Sequence, residues 1–310
     1  MLEYDIAVIG AGPIGSYTAA RLAEAGHRVA VFEASSNVDS NVCCTGIVST
    51  DCYNQFIAHL GIPARPARSA NVFSPSGQSL HIEKPETQAY IIDRPALNRA
   101  LYERARLLSV DYYFNSYAVN AELSTNRCSI RLQQPEGDRT IAAKIIVAAC
   151  GLSSIIPRKL GLGHIKHCAV GAQVNVKTDV EEVEVYFDQE MAPGGFAWLV
   201  PTWDGDGLAG IISQHNAVHH LRPFIERLYS SGKITRFSTL RHKAIPIWGL
   251  RKTSTDRVLV VGEAAGQVKP TTFGGIYTGM LSAGLAATTI KEALATSDLS
   301  GRKLAEYDRA

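Results

Sequence analysis

Three glycines near the N-terminus have the spacing of a phosphate-binding loop. Gly10, Gly12 and Gly15 form the pattern GxGxxG, and Pro13 occupies the first position of the helix that would follow. The first glycine allows a tight turn, the second lets the backbone approach a pyrophosphate, and the third lets a helix pack closely on a strand. The N–H groups and positive dipole end of that helix would attract the phosphates. The pattern therefore predicts a dinucleotide site.

An acidic residue follows this loop at the distance expected for ribose binding. Glu33 closes the apolar segment "HRVAVFE", about 20 residues after the loop, as the motif requires. Its carboxylate would accept both ribose hydroxyls of an adenosine, with Ala34 beside it, and would disfavour a 2′-phosphate. The plain alternative is a glycine-rich turn followed by an exposed glutamate. We favour the nucleotide site, which these residues leave open between NAD and FAD.

These residues need a βαβ unit to position them, and the surrounding sequence predicts one. An apolar strand over 4–9 precedes the loop, a helix over 13–25 follows it, and a strand over 27–33 ends at the acid. The rest of the chain mixes strands and helices without repeats or low-complexity linkers. We expect short strands over 70–92, a helix over about 94–108, strands to 149, strands over 166–213, a helix over about 216–230, a strand over 236–246, a buried strand and turn over 257–266, and a long helix from about 273.

Composition excludes several classes of function. The chain has 310 residues and is 46% hydrophobic, so it can bury a core. Its formal net charge of +2 indicates no nucleic-acid partner. No signal peptide is expected ahead of the first strand, and no apolar run reaches the ~18 residues that span a bilayer. No metal-ligand pattern such as HExxH is present. Scattered cysteines without a CxxC pair indicate reduced thiols and a cytoplasmic location: Cys43, Cys44, Cys52, Cys128, Cys150 and Cys168.

The segment 257–287, "RVLVVGEAAGQVKPTTFGGIYTGMLSAGLAA", points to FAD. It resembles the second FAD signature of p-hydroxybenzoate hydroxylase-type flavoproteins. In that signature a strand ends in Gly-Asp, whose acid binds the ribityl chain, and a Pro/Gly segment opens a helix aimed at the pyrimidine end of the flavin. Glu263 stands here where aspartate is usual. The residues that the resemblance implies against the cofactor are Gly262, Glu263, Gly274, Gly275 and Ile276.

Two further segments resemble the same flavoproteins. "DRPALNRAL" is similar to their Asp-Arg-x-x-Leu segment and implies that Arg94 lies near the cofactor. "VAACGLSSIIPR" is similar to their strand followed by Asp-Gly-x-x-Ser, with Gly151 and Ser153 matching and Cys150 in place of the acid. On its own, Cys150 reads as an inert buried thiol.

The resemblance implies an α/β fold, in which a Rossmann-like FAD-binding domain of the p-hydroxybenzoate hydroxylase type carries an inserted, sheet-rich substrate domain. Because the dinucleotide-type pieces are separated in sequence by strand-rich insertions, we expect the FAD-binding domain to be discontinuous. We assign it residues 1–70, 94–165 and 250–310. The substrate-binding domain then comprises 71–93 and 166–249.

The segment "PGGFAWLVP", residues 193–201, resembles the PxxYxWxFP motif of geranylgeranyl reductases. Trp198 and Pro201 match, and Phe196 stands for the tyrosine. The resemblance implies a strand that lines a cavity with aromatic and aliphatic side chains, suited to a prenyl chain. On spacing alone, the default interpretation is an ordinary aromatic core strand.

The segment "NVCCTGIVST", residues 41–50, resembles the Cys-Gly-x-Gly-type loop of the same enzymes. Cys43 and Gly46 fit the C-x-x-G spacing, and Cys44 takes the usual glycine's position. The resemblance implies a loop near the isoalloxazine, with Cys44, Thr45 and Gly46 against the cofactor and Cys43 as a candidate proton donor. The alternative is that both thiols merely pack in a small-residue loop. Neighbouring cysteines rarely form an unstrained disulfide, so a redox pair stays open.

The chain as a whole is thus similar to the geranylgeranyl reductase family of FAD-dependent oxidoreductases. The resemblance implies a reductase that saturates carbon–carbon double bonds of a geranylgeranyl or polyprenyl chain by hydride transfer from reduced flavin. Electrons would come from NADPH or from a protein carrier such as ferredoxin, and a lipid substrate implies peripheral membrane contact. Two alternatives remain: a flavin-dependent monooxygenase or halogenase acting on an aromatic or polyketide substrate, and a non-catalytic flavin electron-transfer module.

Overall fold

The structure is a computed structural model that describes residues 3–40, 42–152, 154–238 and 240–310. The chain divides into two compact units. The first unit comprises Met1–Ser40, Pro95–His167 and Pro246–Ala310, and the second comprises Asn41–Arg94 and Cys168–Ile245. Each unit is therefore assembled from segments that are distant in sequence.

The strands and helices are numbered in chain order. The strands are β1 (Glu3–Ile9), β2 (Val29–Phe32), β3 (Ile47–Ser49), β4 (Ala64–Ala67), β5 (Ser69–Phe73), β6 (Ser79–Glu83), β7 (Ala89–Ile92), β8 (Asp111–Tyr113), β9 (Tyr117–Leu123), β10 (Cys128–Gln133), β11 (Arg139–Ala148), β12 (Cys168–Lys177), β13 (Val183–Tyr186), β14 (Phe196–Pro201), β15 (Asp206–Ser213), β16 (Arg236–Phe237), β17 (Arg241–Pro246), β18 (Ser254–Thr255) and β19 (Val258–Val260). The α-helices are α1 (Pro13–Ala23), α2 (Thr50–Cys52), α3 (Arg94–Leu107), α4 (Ile156–Lys159), α5 (Ala217–Ser230), α6 (Ile276–Ala295), α7 (Gly301–Leu304) and α8 (Glu306–Arg309). A π-helical turn over Tyr53–Ile57 and 3₁₀ turns over Ala58–Leu60 and Gly262–Ala265 complete the elements.

The first unit is built on a mostly parallel sheet with strand order β18-β19-β11-β1-β2-β8, to which β10 and β9 are added beside the start of β11. Strand β1 lies in the middle, parallel to both neighbours, with Ile6 opposite Ile145 and Val29. Successive side chains of β1 alternate between two hydrophobic clusters: Ile6 and Val8 in one, Ala7 and Ile9 in the other. Burial on both faces explains why this strand reads as a continuous apolar run.

Helices α1 and α6 pack closely through small residues. A Cβ built on Gly279 of α6 would lie 2.7 Å from Cδ1 of Ile14 in α1, so any side chain at position 279 would require Ile14 to move. Alanines of both helices also belong to one hydrophobic cluster with residues of the sheet strands. The start of α6 is thereby fixed beside the start of α1.

The second unit contains a larger sheet with order β16-β12-β15-β14-β13-β5-β6, with β17 also paired to β12, and a small sheet β3-β7-β4. Helix α5 covers one face of the larger sheet, where Leu221, Phe224 and Leu228 cluster with inward residues of the strands such as Leu199 and Ile211. This matches the predicted helix over about 216–230 within one residue at its start.

The predicted domain boundary differs from the observed one at residues 41–70. The sequence assignment put them with the first domain, whereas they cluster with the second unit. The physical reason is strand pairing: β3 and β4 flank β7 in the small sheet, and β5 joins the larger sheet beside β13. Short strands with non-local partners leave no sequence signal of this kind.

Two further predicted elements differ from the observed ones. Helix α6 begins at Ile276 rather than at 273, because the Lys269 N–H donates to the Gly274 carbonyl (3.1 Å) and closes a tight turn in which Phe273 has φ +57°. The strand predicted over 236–246 is two short strands, β16 and β17. Among the described residues, no helix is both long and apolar enough to cross a membrane, and no cluster of side chains could hold a metal ion.

Candidate functional site

Two of the three loop glycines are required by close backbone packing. Gly10 has φ +105°, and a Cβ there would lie 2.5 Å from the Ala149 carbonyl oxygen. A Cβ on Gly15 would lie only 2.0 Å from the Gly10 carbonyl oxygen. The loop is also tied to β2, because the Gly10 N–H donates to the Phe32 carbonyl (2.8 Å). Gly10 and Gly15 therefore bring strand and helix together.

Gly12 has a different environment. No described atom lies within 4 Å of the position that its Cβ would take. It is the N-cap of α1, Pro13 is the first helical residue, and no described side chain caps this helix end. An uncapped helix N-terminus with room above its glycine presents backbone N–H groups and a positive dipole end to an anion. These features fit a pyrophosphate.

Glu33 is held against the loop at the end of β2. One carboxylate oxygen accepts from the Ala11 N–H (2.7 Å) and the other from the Ser35 N–H (2.8 Å). A carboxylate has about four acceptor positions, so these two bonds orient it and leave capacity for ribose hydroxyls. Ala34, beside it, is exposed.

Cys150 and Gly151 border the same loop. The Cα of Cys150 lies 3.1 Å from the position that a Cβ on Gly10 would take, and Gly151 has φ +63°. Burial raises the pKa of the Cys150 thiol, so this position carries a neutral thiol where related flavoproteins carry an acid. Ser153, the other residue of that resemblance, lies outside the described residues.

The C-terminal signature gathers at the start of α6. Gly262 has φ +66°, and its missing Cβ would lie 3.2 Å from the side chain of Ile14. Cγ of Glu263 lies 3.9 Å from the position that a Cβ on Gly275 would take. Gly275 is the N-cap of α6, directly before Ile276, and no described side chain caps this end. Beside it, Cε of Lys269 lies 3.2 Å from the Cβ position of Gly274.

A hydrogen-bond relay that the sequence analysis missed supports this segment. The Gly262 N–H donates to Oε1 of Gln267 (2.6 Å), whose Nε2 donates to the Tyr307 hydroxyl (2.6 Å). That hydroxyl donates to the Val260 carbonyl (3.1 Å). Gln267 is a polar residue within an apolar segment and could have been singled out on that ground, whereas Tyr307 is 40 positions away and gives no local signal.

The first unit therefore offers two neighbouring helix N-termini, at α1 and α6, with a carboxylate beside each. The N-terminus of α1 suits a pyrophosphate with its ribose. The N-terminus of α6 suits an electron-rich ring edge, since a helix N-terminus favours negative charge. Two such helix ends within one unit fit the two halves of a dinucleotide such as FAD.

The loop that contains Cys43 to Gly46 follows β2 in sequence but belongs to the second unit. Gly46 has φ +76°, and a Cβ there would lie 2.3 Å from the Ile92 carbonyl oxygen and 3.4 Å from Cγ of Arg94. Its N–H donates to Sγ of Cys44 (3.5 Å), and the Ile47 N–H donates to the hydroxyl of Thr45 (3.4 Å). Gly46 is therefore a structural requirement of this turn.

The Cys43 thiol points toward strands that lie far along the chain. Its Sγ is 3.8 Å from the Arg241 carbonyl oxygen and 4.0 Å from the Gly171 carbonyl oxygen, with the thiol as donor. The Arg241 guanidinium also donates to the Val42 carbonyl (3.3 Å). The two adjacent thiols thus have separate partners.

The strand that resembles the prenyl-reductase motif is β14. The rings of Phe196 and Trp198 lie on one face, edge to face with centroids 6.1 Å apart. Strand alternation puts Pro201 on the other face, with Ala197 and Leu199, which pack under α5. Of the three predicted substrate residues, only Phe196 and Trp198 therefore lie on the same face of the sheet.

The predicted site residues divide between the two units. The first unit contains Gly10, Gly12, Pro13, Gly15, Glu33, Ala34, Gly151, Gly262, Glu263, Gly274, Gly275 and Ile276. The second contains Cys43, Cys44, Thr45, Gly46, Arg94, Phe196, Trp198 and Pro201. Within each unit the residues lie on neighbouring loops and strands.

Comparison with known proteins agrees with this geometry. The model of the FAD binding domain family matches residues 3–309. The chain is 29% identical to the digeranylgeranylglycerophospholipid reductase of Methanocaldococcus jannaschii, over 99% of this chain and 81% of that protein. It is 30% identical to digeranylgeranylglycerophospholipid reductase 2 of Methanothermobacter thermautotrophicus, over 99% and 83% of the two chains.

Solved structures show the same fold. A geranylgeranyl bacteriochlorophyll reductase-like protein of Thermoplasma acidophilum superposes with a TM-score of 0.90 at 24% identity, covering 100% of this chain and 83% of that one. The p-nitrophenol 4-monooxygenase of Pseudomonas putida superposes less closely, with a TM-score of 0.81 at 19% identity over 99% and 84% of the chains. The fold and the site define an FAD-dependent oxidoreductase. The chain belongs to the geranylgeranyl reductase family within the FAD binding domain proteins.

Proposed function

We propose that the protein saturates carbon–carbon double bonds of a geranylgeranyl or other polyprenyl chain by hydride transfer from reduced FAD. The observation that carries the proposal is the match over 99% of the chain to proteins named digeranylgeranylglycerophospholipid reductases. The adjacent aromatic rings of Phe196 and Trp198 on one face of β14 support it, since an apolar surface of this kind suits a hydrocarbon chain.

The first unit's residues would hold the cofactor. Backbone N–H groups around Gly12 would bind the pyrophosphate, Glu33 the adenosine ribose, and Glu263 the ribityl chain. The positive end of α6 would favour negative charge on the pyrimidine side of the flavin. When bound and reduced, FAD supplies the hydride. The protein's part is to orient the cofactor and to exclude water from the reacting carbons.

An isolated trisubstituted alkene also needs a proton on its second carbon, since no carbonyl activates it. We assign that proton to the Cys43 thiol. In its contacts with the Arg241 and Gly171 carbonyl oxygens the thiol is the donor, because a carbonyl can only accept a hydrogen bond, and these contacts orient the S–H group. The Cys150 thiol, whose pKa is raised by burial, is not used.

Two further parts of the proposal concern partners. The electron donor is NADPH or a reduced protein carrier such as ferredoxin. A lipid substrate requires a peripheral visit to a membrane surface, which the exposed Trp248 (67% accessible) is suited to make.

Anaerobic photoreduction of the FAD-loaded protein tests the activity. Addition of a geranylgeranyl lipid should reoxidise the flavin and yield a product two hydrogens heavier per double bond. The matched control is the fully saturated phytanyl lipid, which should leave the flavin reduced. If no prenyl substrate reoxidises the flavin, the reductase proposal fails. Oxygen uptake coupled to an aromatic substrate would instead support a monooxygenase.

A further inference from the structure

The sheet face of the second unit opposite α5 is mostly apolar but carries two buried polar atoms. Gln173 on β12 is 3% accessible and Trp198 on β14 is 9% accessible. Oε1 of Gln173 and Nε1 of Trp198 are both buried, and neither has a hydrogen-bond partner among the described residues. Leaving a buried polar atom unsatisfied is costly, so such a pair calls for a ligand.

The two side chains lie in one row across the sheet. Gln173 pairs with Gly210 of β15, and Gly210 pairs on its other side with Trp198. They therefore point to the same face, away from the Ala172, Leu199 and Ile211 side chains that pack under α5. The neighbouring rows on this face hold apolar residues such as Ile212 and Phe196.

Gly210 leaves room for the Trp198 ring between β14 and β12. The indole lies across it, with Cζ2 and Cε2 only 2.4 and 2.6 Å from the position that a Cβ on Gly210 would take. Since Cε2 is bonded to Nε1, the indole N–H lies close to Gly210, the residue that pairs with Gln173 on β12. A side chain at position 210 would fill this space.

We infer that Trp198 and Gln173 together bind one neutral hydroxyl group. The indole N–H can only donate and the amide oxygen can only accept, so one hydroxyl can satisfy both by accepting from Trp198 and donating to Gln173. An ether or carbonyl oxygen would leave Gln173 unsatisfied, and a charged group would lack a counter-charge from this pair. The hydroxyl comes from a bound water or from the alcohol end of an isoprenoid; the second source rests on the proposed function.

The test uses the FAD-loaded protein with ¹⁵N-labelled indole groups. The chain has 3 tryptophans, so the Trp198 resonance is assigned as the one missing in Trp198→Phe. If the hydroxyl is a water, the ligand-free protein shows a persistent cross-peak between water and the Trp198 indole proton, and Gln173→Leu abolishes it. The cross-peak is first sought in wild-type protein, so its presence or absence there does not depend on the folding of Gln173→Leu.

Three probes test whether the hydroxyl comes from an isoprenoid alcohol: geranylgeraniol, its methyl ether and the corresponding hydrocarbon. If the ligand supplies the hydroxyl, the alcohol should bind about tenfold more tightly than the hydrocarbon, the worth of one net hydrogen bond, with the ether weaker than the alcohol. Gln173→Leu should reduce that ratio to about one. Asn175→Leu, an exposed polar residue on the same strand and face, is the matched control and should keep the ratio.

The outcomes separate this inference from the proposed function. A water cross-peak with no binding of any probe sustains the hydroxyl site and contradicts prenyl binding. The absence of the cross-peak, together with equal alcohol-to-hydrocarbon ratios in wild type and Gln173→Leu, overturns the hydroxyl site. In that case binding of all three probes would still agree with a prenyl substrate.

Discussion

The two units build their candidate sites from different kinds of contact. In the first unit, the loop from Gly10 to Gly15 and the acid Glu33 meet within one βαβ segment, and the Glu33 carboxylate bonds directly to the Ala11 N–H. In the second unit, the Cys43 thiol contacts the backbone of Gly171 and Arg241, more than a hundred residues along the chain.

This difference teaches where sequence spacing carries information. In a loop that closes over a short segment, backbone atoms lie nearly in contact. Only certain residue types, at a fixed spacing, fit there, so the sequence pattern reveals the loop. A site assembled from strands of separate segments depends on which strands pair, and pairing is set by the whole core. Substitutions in the two units should therefore fail in different ways: by loss of packing or cofactor in the first, and by loss of chemistry in the second.

The largest expected effect is on folding of the first unit. In Gly15→Ala the new Cβ would meet the Gly10 carbonyl oxygen at 2.0 Å, and backbone cannot give way cheaply. We expect the free energy of unfolding to fall by roughly 3 kcal/mol or more. Denaturant unfolding of the cofactor-free protein measures this change.

The control for that prediction is Gly12→Ala, where no described atom lies within 4 Å of the new Cβ. Its stability without cofactor should change by less than about 1 kcal/mol, since only the N-cap residue is altered. Its affinity for FAD should fall, because the methyl group occupies the approach to the pyrophosphate. Equal destabilisation by both variants would contradict separate packing and binding roles for the two glycines.

The next effect is on chemistry in the second unit. Cys43→Ser should retain FAD and reduce the rate of flavin reoxidation by a prenyl substrate about 100-fold, the usual worth of a positioned proton donor. A hydroxyl is a much weaker acid than a thiol. Stopped-flow absorbance under anaerobic conditions measures the rate. Cys168→Ser, a partly exposed thiol at the start of β12, is the control. Wild-type turnover in Cys43→Ser would remove the thiol from the mechanism.

The sequence predicted the local structure of the first unit more fully than that of the second. The βαβ pattern, the loop glycines and Glu33 lie where spacing puts them, and α1 and α3 begin at the predicted residues. The small sheet β3-β7-β4 was not foreseen, because short strands with distant partners have no local signature. Two further features were not foreseen for the same reason. A glycine is needed at position 210 because the Trp198 ring of the neighbouring strand occupies the space of a side chain, and the face on which Pro201 lies is set by the register of β14.

A smaller effect is expected from Glu33→Ala in the first unit. Removing the carboxylate deletes the bonds to the Ala11 and Ser35 N–H groups and the acceptors for the ribose. The FAD dissociation constant should rise about 30-fold, as for the loss of one hydrogen bond to a charged group. Flavin fluorescence titration measures it. Glu24→Gln, which alters a surface ion pair with Arg104, is the control and should bind FAD normally. Unchanged affinity in Glu33→Ala would contradict a ribose role.

The smallest effect should come from Tyr307→Phe, which keeps the buried ring and removes its hydroxyl. That hydroxyl joins Gln267 to the Val260 carbonyl, and burial raises its pKa to about 12, so it is protonated at neutral pH and can donate. Its loss should lower the free energy of unfolding by about 1 kcal/mol, the usual net worth of a hydrogen bond. It should also loosen FAD slightly, because Gln267 positions the Gly262 N–H. Thermal unfolding with and without FAD separates the two effects, and Tyr229→Phe, on an exposed tyrosine of α5, supplies the baseline. Should Tyr307→Phe behave as Tyr229→Phe does, the relay would have no part in holding the turn before α6.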